Sequence, residues 1–461
     1  MQATSARADY DARVARLAGQ LAAIPPGSPV RLKKKTSNLF RTRRPSSAPR
    51  LDVTDFDGVI SIDVEARTAD VQGMTTYEHL LDATLAHGLA PLVVPQLKTI
   101  TLGGAVTGLG IESTSFRNGL PHESVLEMDV LTGDGRVVTA TPDNEHRDLF
   151  HGFPNSYGSL GYALRLRILL EPVTPWVSLR HVPFTSAAEL FETMAQVCEA
   201  RSHEGVPVDF VDATAFDAGE LYLTLGTWTS ELPAGTSPSD YTGMGIYYRS
   251  LQQRRTDVLS VRDYYWRWDT DWFWCSRAFG AQDPRIRRLW PKRLLRSDTY
   301  WKLIALEDRW HVAQRRDERR GRLPQEKVVQ DVEVPIGRAA EFHEWFAREI
   351  GITPVWACPL KQRDAASEWD LYLLDPATTY VNFGFWSTVD LQPGQSDGHH
   401  NRLVEAEVER LGGRKSLYST SYYEEDHFWS LYGGAAYERL KKEYDPQARL
   451  SSLYDKAVRN A

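Results

Sequence analysis

The sequence has little cysteine and no long apolar run. Its three cysteines, Cys198, Cys275 and Cys358, lie far apart and form neither a CxxC motif nor a metal-ligand spacing. We therefore expect free thiols in a reducing compartment and no metal site. No stretch approaches the roughly 18 apolar residues of a transmembrane helix, and residues 1–17 lack the apolar core of a signal peptide. These absences predict a cytoplasmic protein that does not span a bilayer.

The chain also lacks excess positive charge and the common nucleotide-binding motifs. Its formal net charge is −7, which argues against a general nucleic-acid binder. No GxxxxGK[ST] sequence is present, so a P-loop is excluded. Gly108-Leu109-Gly110 begins like a Rossmann fingerprint, but no third glycine follows at the required spacing and residues 111–123 do not open an apolar helix.

What the chain does have is a glycine-rich stretch at residues 95–120, PQLKTITLGGAVTGLGIESTSFRNGL. Glycine allows a backbone to approach a ligand closely, and N–H groups beside hydroxyl side chains bind anions. The stretch is typical of a backbone cradle for a phosphate-bearing cofactor, although a plain turn between strands has the same composition. A basic run at residues 30–44 encloses Thr36-Ser37-Asn38, which suits a pyrophosphate, but a solvated loop also explains it.

The periodicity of the remaining chain predicts an α+β fold. Residues 5–24 form an amphipathic helix, and strand signals outnumber helix signals between residues 51 and 173. Asp134-Gly135 predicts a hairpin turn. Later segments predict helices at 187–200, 342–350 and 401–412. Further predicted strands are Leu92–Val94, Leu221–Trp228, Lys327–Val334, Val355–Pro359, Trp369–Leu374 and Tyr380–Trp386.

Residues 261–302 hold an unusual concentration of aromatic and basic side chains, beginning VRDYYWRWDTDWFWCSRAFG. Three interpretations remain open. The segment forms core helices with snorkelling arginines, lines a pocket for an apolar ligand, or contacts a membrane surface through rings and cations.

Several of these motifs, in their order along the chain, resemble the FAD-binding domain of vanillyl-alcohol-oxidase (PCMH-type) flavoproteins. The motifs are TADVQG at 68–73, the glycine-rich stretch, DLF at 148–150 and SYGSLGYALRLRILLEP at 156–172. Within that family the pattern is most similar to the delta-24 sterol reductase group, including LYSTSYYEEDHFW near the C-terminus.

The resemblance implies four regions: an N-terminal helix (1–28), a two-subdomain FAD-binding domain (29–175), an α+β substrate-capping domain (176–400) and C-terminal helices that return to the FAD domain (401–461). It implies FAD contacts from Thr36, Ser37, Asn38, Thr101, Gly103, Gly104, Thr107, Gly108, Gly110, Ile111, Ser113, Gly158, Ser159 and Gly161. The loop KTSNLFR contains no histidine of the kind that bonds covalently to flavin, so we expect non-covalent FAD.

The implied chemistry is reduction of a carbon–carbon double bond, which needs a hydride and a proton from a nearby acid. Candidate acids are Tyr157, Tyr422, Tyr423 and Glu112, with His122 as a further possibility. No separate NAD(P) fingerprint is present, so NADPH, the expected electron donor, shares the active-site face or acts through another protein.

The substrate expected from the resemblance is a lipid. The alanine- and arginine-rich composition suggests a high-GC bacterium, where sterols are unusual, and actinobacterial relatives reduce a methylene branch on a fatty acyl chain after a methyltransferase has made it. We therefore expect a methylene-branched acyl phospholipid, a methyltransferase partner and contact with the inner membrane face through residues 261–302. The alternatives are a sterol reductase, an FAD-dependent alcohol or sugar oxidase, and a flavin-free scaffold.

Overall fold

Two large sheets form the framework of the computed structural model, which describes residues 2–37, 40–41, 44–310 and 321–460. Every strand pair within these two sheets is antiparallel. Because a doubly wound fold needs a parallel sheet, this arrangement confirms the predicted α+β class.

A six-stranded sheet is built from the first part of the chain, in the order β3-β4-β8-β6-β7 with β5 also paired to β8. Its β6–β7 hairpin turns at the predicted Asp134-Gly135. The elements of this part are α1 (Gln2–Ala22), β1 (Arg31–Lys33), β2 (Arg50–Asp52), β3 (Val59–Asp63), β4 (Thr68–Gln72), α2 (Tyr77–Leu85), β5 (Leu89–Pro91), α3 (Leu102–Gly108), α4 (Ser115–Asn118), β6 (Val125–Thr132), β7 (Val137–Ala140), α5 (Arg147–Gly152) and β8 (Gly161–Pro172).

The second part contributes most of an eight-stranded sheet, which we call the cap sheet. Short 3-10 helices occur at Cys275–Phe279, Lys292–Leu294 and Ile336–Arg338. The other elements are β9 (Trp176–Phe184), α6 (Ala187–Ala200), β10 (Ser202–His203), β11 (Val206–Pro207), β12 (Phe210–Ala215), β13 (Leu221–Thr229), α7 (Tyr247–Ser250), β14 (Thr256–Ser260), α8 (Val261–Trp266), α9 (Pro284–Leu289), α10 (Ser297–Trp310), β15 (Gln325–Pro335), α11 (Ala339–Glu349), β16 (Val355–Leu360) and β17 (Tyr380–Asp390).

The last part of the chain closes the cap sheet and then packs against the six-stranded sheet. It consists of α12 (His399–Arg410), β18 (Arg414–Lys415), α13 (Glu425–Leu431), α14 (Gly434–Tyr444) and α15 (Leu453–Ala457). The order of the cap sheet is β14-β9-β13-β12-β16-β17-β15-β18. On α14, Lys441 Nζ donates to the carbonyl oxygen of Ser159 at 2.8 Å, and the carbonyl of Tyr444 accepts from the backbone N–H of Gly133.

The two faces of the cap sheet carry different side chains. On β15, Val328, Val332 and Val334 are buried and join a core with apolar residues of α6, α11 and α12. Because side chains alternate along a strand, Asp331 and Glu333 lie on the opposite face. We call this the inner face of the cap sheet.

The aromatic segment is buried. Every aromatic side chain between Tyr264 and Trp274 has an exposed fraction of 4% or less and belongs to the main hydrophobic core. The first half of the 261–302 segment is therefore core and cavity wall, which leaves only its second half available to a membrane surface.

Two predicted strands are wrong. Leu92–Val94 is buried but pairs with no strand, because the strand in this part of the chain is β5, which ends immediately before it. Trp369–Leu374 contains turns instead of a strand. In both segments a side-chain amide bonds a backbone carbonyl that a neighbouring strand would otherwise bond. Asn118 donates to the carbonyl oxygen of Leu92, and Asn155 donates to the carbonyl oxygen of Leu371 at 2.8 Å.

A buried charge cluster joins the cap sheet and the loop after α3 to the aromatic segment. Arg267, which follows α8, donates through Nη2 to Asp212 on β12 at 2.7 Å and to Glu112 after α3 at 3.2 Å. All three side chains are at most 2% exposed. The guanidinium carbon also lies 3.9 Å from the centroid of the Tyr264 ring, so the arginine is held by carboxylates and an aromatic face together.

Replacing Arg267 with Met should destabilise the protein by about 3–5 kcal/mol, because Glu112 and Asp212 would be left buried without their cation. The matched control is Arg262→Met on α8. Arg262 pairs with Asp82 at the surface, and that change should cost about 0–1 kcal/mol. Urea unfolding followed by tryptophan fluorescence measures both variants. Equal midpoints for the two variants would contradict this role of the cluster.

Candidate functional site

The glycine-rich stretch folds into α3 and the turns around it. Thr101 is the N-cap residue, and its hydroxyl oxygen accepts from the backbone N–H of Gly104 at 3.2 Å. Thr101, Gly104 and Thr107 follow at helical i, i+3 spacing, so they share one face of the helix. Gly103 lies on the other side, where a Cβ atom would come within 2.7 Å of the carbonyl oxygen of Gly73. Glycine is therefore required there for α3 to lie against the β4–α2 turn.

The exposed face of α3 forms the floor of a polar cavity of about 530 Å³, which we call the outer cleft. The loop between β1 and β2 forms one wall, and the turn before β8 together with the end of the chain forms another. Among the residues that the structure describes, eight cationic side chains line it: Arg31, Lys33, Lys34, Lys35, Arg41, Arg44, Arg50 and Lys456. This density of positive charge beside a glycine floor suits a diphosphate.

A second cavity of about 200 Å³, the inner cleft, lies between α3 and the inner face of the cap sheet. Among the described residues, seven aromatic side chains line it: Phe40, Tyr157, Trp272, Phe273, Trp356, Trp386 and Tyr418. The two clefts share Lys34, Thr36, Ser37, Thr101, Gly104, Thr107 and Tyr157. The site is therefore one elongated cavity that is cationic at one end and aromatic at the other.

Tyr157 stands where the two clefts meet. Its backbone has φ 49°, its N–H donates to the carbonyl oxygen of Thr107, and its hydroxyl donates to the carbonyl oxygen of Gly108 at 2.7 Å. A Cβ atom at Gly108 would come within 3.0 Å of the ring. Burial raises the pKa of the Tyr157 hydroxyl. Because this proton is already bonded to a backbone carbonyl, the observed contacts give Tyr157 a role in shaping the cleft.

Most of the cofactor residues predicted from the sequence line the cavity. The outer cleft is lined by Thr36, Ser37, Thr101, Gly103, Gly104, Thr107, Gly158 and Gly161, and the inner cleft by Gly108, Gly110 and Ile111 among others. Ser113 and Ser159 do not line it: the hydroxyl of Ser113 donates to Glu112 at 2.6 Å, and that of Ser159 donates to the carbonyl of Ser156. Asn38 lies outside the described residues.

Four of the predicted proton donors also lie away from the cavity walls. Glu112 belongs to the buried Arg267 cluster, and burial raises the pKa of its carboxyl against the attraction of that cation. Burial lowers the pKa of His122 to about 3, and the ring packs edge-on against Trp369. Tyr422 packs under Arg402, and Tyr423 packs against other rings of the C-terminal helices.

A different tyrosine of the same C-terminal motif reaches the inner cleft. Tyr418 lies after β18, and its carbonyl oxygen accepts from the backbone N–H of Phe40, which fixes the basic loop to the C-terminal segment. Its hydroxyl oxygen accepts from Trp386 Nε1 at 2.9 Å. The spacing of LYSTSYY gave no signal to distinguish this tyrosine from Tyr422 and Tyr423.

The inner cleft also contains a carboxyl group that the sequence analysis missed. Asp331 on β15 is half-buried and lines the cleft, and burial raises its pKa to about 7. A signal was present: the strand VVQDVEV carries two acidic residues, Asp331 and Glu333, at alternate positions of an otherwise apolar run. Alternation places both on one face of the strand, but the sequence does not state what that face covers.

Comparison with known proteins agrees with this geometry. Residues 26–141 match the FAD binding domain family. The chain is 25% identical over 440 residues to the delta(24)-sterol reductase of Arabidopsis thaliana, covering 88% of this chain and 76% of that protein. It is 24% identical over 432 residues to the Rattus norvegicus protein of that name, covering 87% and 76%. It is also 40% identical over 127 residues to cytokinin dehydrogenase 6 of Oryza sativa subsp. japonica, covering 26% and 24%.

The chain is an FAD-binding oxidoreductase of the PCMH type. It is distantly related to the delta(24)-sterol reductases over most of its length.

The residues of the cavity fit FAD. A dinucleotide with a central diphosphate and a flat tricyclic end needs a cationic region joined to an apolar one, and the two clefts of this oxidoreductase provide both. Gly104 is exposed on the shared floor, where a Cβ atom would lie 2.8 Å from Thr101 Oγ1 and occupy the surface a cofactor would cover. The basic loop and the α3 face would hold the diphosphate, and the aromatic walls would take the ring.

No helix among the described residues is long and apolar enough to cross a membrane. Within the same ranges, no group of three or more His, Cys, Asp or Glu side chains is placed to hold a metal ion.

Replacing Gly104 with Val should remove FAD from the purified protein, because the branched side chain would fill the floor shared by both clefts. The matched control is Gly19→Val. Gly19 is exposed on α1, and a Cβ atom there meets nothing within 4 Å. Flavin absorbance per polypeptide after reconstitution gives the occupancy, and circular dichroism checks folding. A folded Gly104→Val variant with full flavin occupancy would refute the assignment of this floor.

Proposed function

We propose that this FAD-dependent oxidoreductase reduces a carbon–carbon double bond in a lipid, with NADPH as the electron source. The preferred substrate is a methylene-branched fatty acyl chain on a phospholipid, which becomes the methyl-branched product. The observation that carries the proposal is the aromatic inner cleft, which continues directly from the cationic cleft that suits FAD. Relatives that align with 87–88% of the chain are named sterol reductases, which are enzymes of lipid reduction.

The preference for an acyl chain over a sterol rests on composition. The alanine- and arginine-rich chain indicates a high-GC bacterium, where sterols are unusual. A sterol is therefore the second candidate within the same reaction class.

Residues of the outer cleft would bind the cofactor, and residues of the inner cleft would surround the reacting carbons. Thr101, Gly104 and Thr107 on α3 and the cations of the basic loop would bind the diphosphate and fix the cofactor along the cavity. When bound and reduced, FAD supplies a hydride equivalent. Trp272, Phe273 and the other aromatic walls would exclude water from the reacting carbons and orient the chain.

An oxidase or dehydrogenase that removes electrons from an alcohol or sugar is the alternative. The local similarity to cytokinin dehydrogenase 6, which covers 26% of this chain, supports it for the FAD-binding part alone. Rapid reoxidation of the flavin by air, with no requirement for NADPH, would favour this alternative.

The test is anaerobic reduction of the FAD-loaded protein by NADPH, followed by addition of candidate alkenes. Methylene-branched phospholipid should reoxidise the flavin, and mass spectrometry should find a product heavier by two hydrogen atoms. A delta-24 sterol and an unbranched olefinic phospholipid are the comparison substrates. An unchanged methylene lipid, both with and without the methyltransferase that makes it, would refute the proposed substrate.

A surface beside the aromatic segment supports contact with the inner membrane face. Residues 284–294, which we call the 284–294 patch, expose Ile286 (43%), Leu289 (84%) and Leu294 (41%). The exposed Met244 joins the patch, because Arg287 donates to the carbonyl oxygens on either side of it. Four exposed side chains within the patch are basic, Arg285, Arg288, Lys292 and Arg293, and one exposed acidic residue, Asp283, precedes it. Exposed apolar groups among cations are what an anionic bilayer surface binds.

Replacing Leu289 with Glu should reduce binding to vesicles that contain anionic phosphatidylglycerol by at least about fivefold, because it removes the most exposed apolar group and adds repulsion. The control is Leu403→Glu. Leu403 is exposed on α12, behind the outer face of the cap sheet. Cosedimentation with vesicles with and without anionic lipid measures binding. Equal loss in both variants, or none in either, would contradict the assignment.

A further inference from the structure

The inner cleft has one carboxyl group on its wall, and it belongs to the cap sheet. Asp331 on β15 pairs in register with Gly384 on β17, and a Cβ atom at Gly384 would come within 2.5 Å of Asp331 Oδ1. Because Gly384 has no side chain, the Asp331 carboxyl group has room on this face of the sheet. Among the described residues that line this cleft, Asp331 alone is Asp or Glu.

Two neighbours hold the Asp331 carboxyl in place. Asn382 Nδ2 lies 3.4 Å from Oδ1 and donates to it, and the nearby Tyr418 hydroxyl stabilises the carboxylate form and so opposes the rise in its pKa. An indole N–H can only donate, so the Tyr418 oxygen is the acceptor for Trp386 Nε1 and its proton points elsewhere. The Tyr418 proton is therefore available to the nearby Asp331 carboxyl group.

A second carboxyl group stands behind the first. Glu333 is two residues further along β15, and its oxygens accept from the hydroxyls of Tyr372 and Ser416. Burial raises the pKa of Glu333 to about 8, and the nearby Asp331 adds to that rise. Burial likewise raises the pKa of Asp331 to about 7, so near neutral pH the pair keeps a proton.

The other titratable groups around Asp331 are few. Tyr418 faces it from the loop after β18, Tyr157 from the turn before β8, and Lys34 lines the same cleft from the basic loop. The tyrosines have pKa values raised by burial and stay protonated at neutral pH. Asp331 on the cleft wall and Glu333 behind it are therefore the groups whose protonation changes near neutral pH, and of the two only Asp331 lines the cleft.

We propose that Asp331 is the general acid of the reaction, with Glu333 as a positioning residue behind it. The inference rests on the proposed reduction of a double bond. In that reaction one alkene carbon accepts the hydride equivalent from the reduced cofactor, and the other accepts the proton from Asp331. The π bond breaks, two C–H bonds form, and the Asp331 carboxylate is reprotonated from solvent.

The test compares wild type with Asp331→Asn, which cannot donate the proton, and with Asp331→Glu as the conservative variant. The control is Glu326→Gln. Glu326 is a buried carboxyl on the same strand, and it binds His400 and Asn401 away from the cleft. Asp331→Asn should bind FAD and accept electrons from NADPH at the wild-type rate. Its reoxidation by alkene should slow by about 100-fold or more, the range of a lost general acid. Asp331→Glu should recover part of the rate, and Glu326→Gln should keep it.

The pH dependence gives a second measurement that needs no variant. The alkene step requires protonated Asp331, so its rate in the wild type should be highest below about pH 7 and fall as the pH rises through that value. The infrared difference spectrum between wild type and Asp331→Asn at pH 6, without any substrate, should contain one protonated-carboxyl band in addition to the band of Glu333 that both proteins keep, and this provides a readout independent of turnover.

The outcomes separate the two proposals. If the wild type reduces the alkene and folded Asp331→Asn keeps more than half of that rate, the general-acid assignment is wrong and the function stands. If the Asp331→Asn variant fails to fold, a wild-type rate that does not fall between pH 6 and 8 overturns the assignment. If NADPH reduces the wild-type flavin and no alkene reoxidises it, the function itself fails and the assignment falls with it.

Discussion

A single buried arginine joins the parts of this oxidoreductase that form its cavity. Arg267 binds one carboxylate from β12 of the cap sheet and one from the loop after α3, and a charge removed from water must be paired where it lies. Its position therefore fixes the chain that follows, in which Trp272 and Phe273 both have positive φ angles, 44° and 59°. Such angles are costly for bulky residues, and dense aromatic packing around them keeps them there. The wall of the inner cleft thus depends on a contact made outside it.

The two ends of the cavity differ because charged side chains stay in contact with solvent and apolar side chains are covered. Cations collect at the outer cleft, where solvent screens them and a diphosphate would pair with them. Aromatic groups collect at the inner cleft, where the cap sheet covers α3. Water is excluded at the end where carbon chemistry would occur, and the charged end stays open for the cofactor to enter.

Two carboxyl groups show how surroundings decide the role of a side chain. Glu112 and Asp331 are both removed from bulk water, and burial raises the pKa of each. Glu112 has a guanidinium beside it and no opening to the cavity, so it serves as a structural ion pair. Asp331 has an amide and a hydroxyl as partners and opens onto the inner cleft. A proton can be held and released only in the second setting.

The sequence by itself determined the α+β class, many of the strands, several of the helices and the glycine floor of the cavity. These features depend on local periodicity and on single residues such as Gly103 and Gly104, which can be identified directly in the sequence. Only the tertiary structure decided which side chains reach the reacting end. Tyr418 lines the inner cleft while Tyr422 and Tyr423 do not, and Asp331 meets α3 across more than 200 positions of sequence. A local pattern states which face of a strand a residue occupies, but what that face covers is fixed by contacts between distant segments.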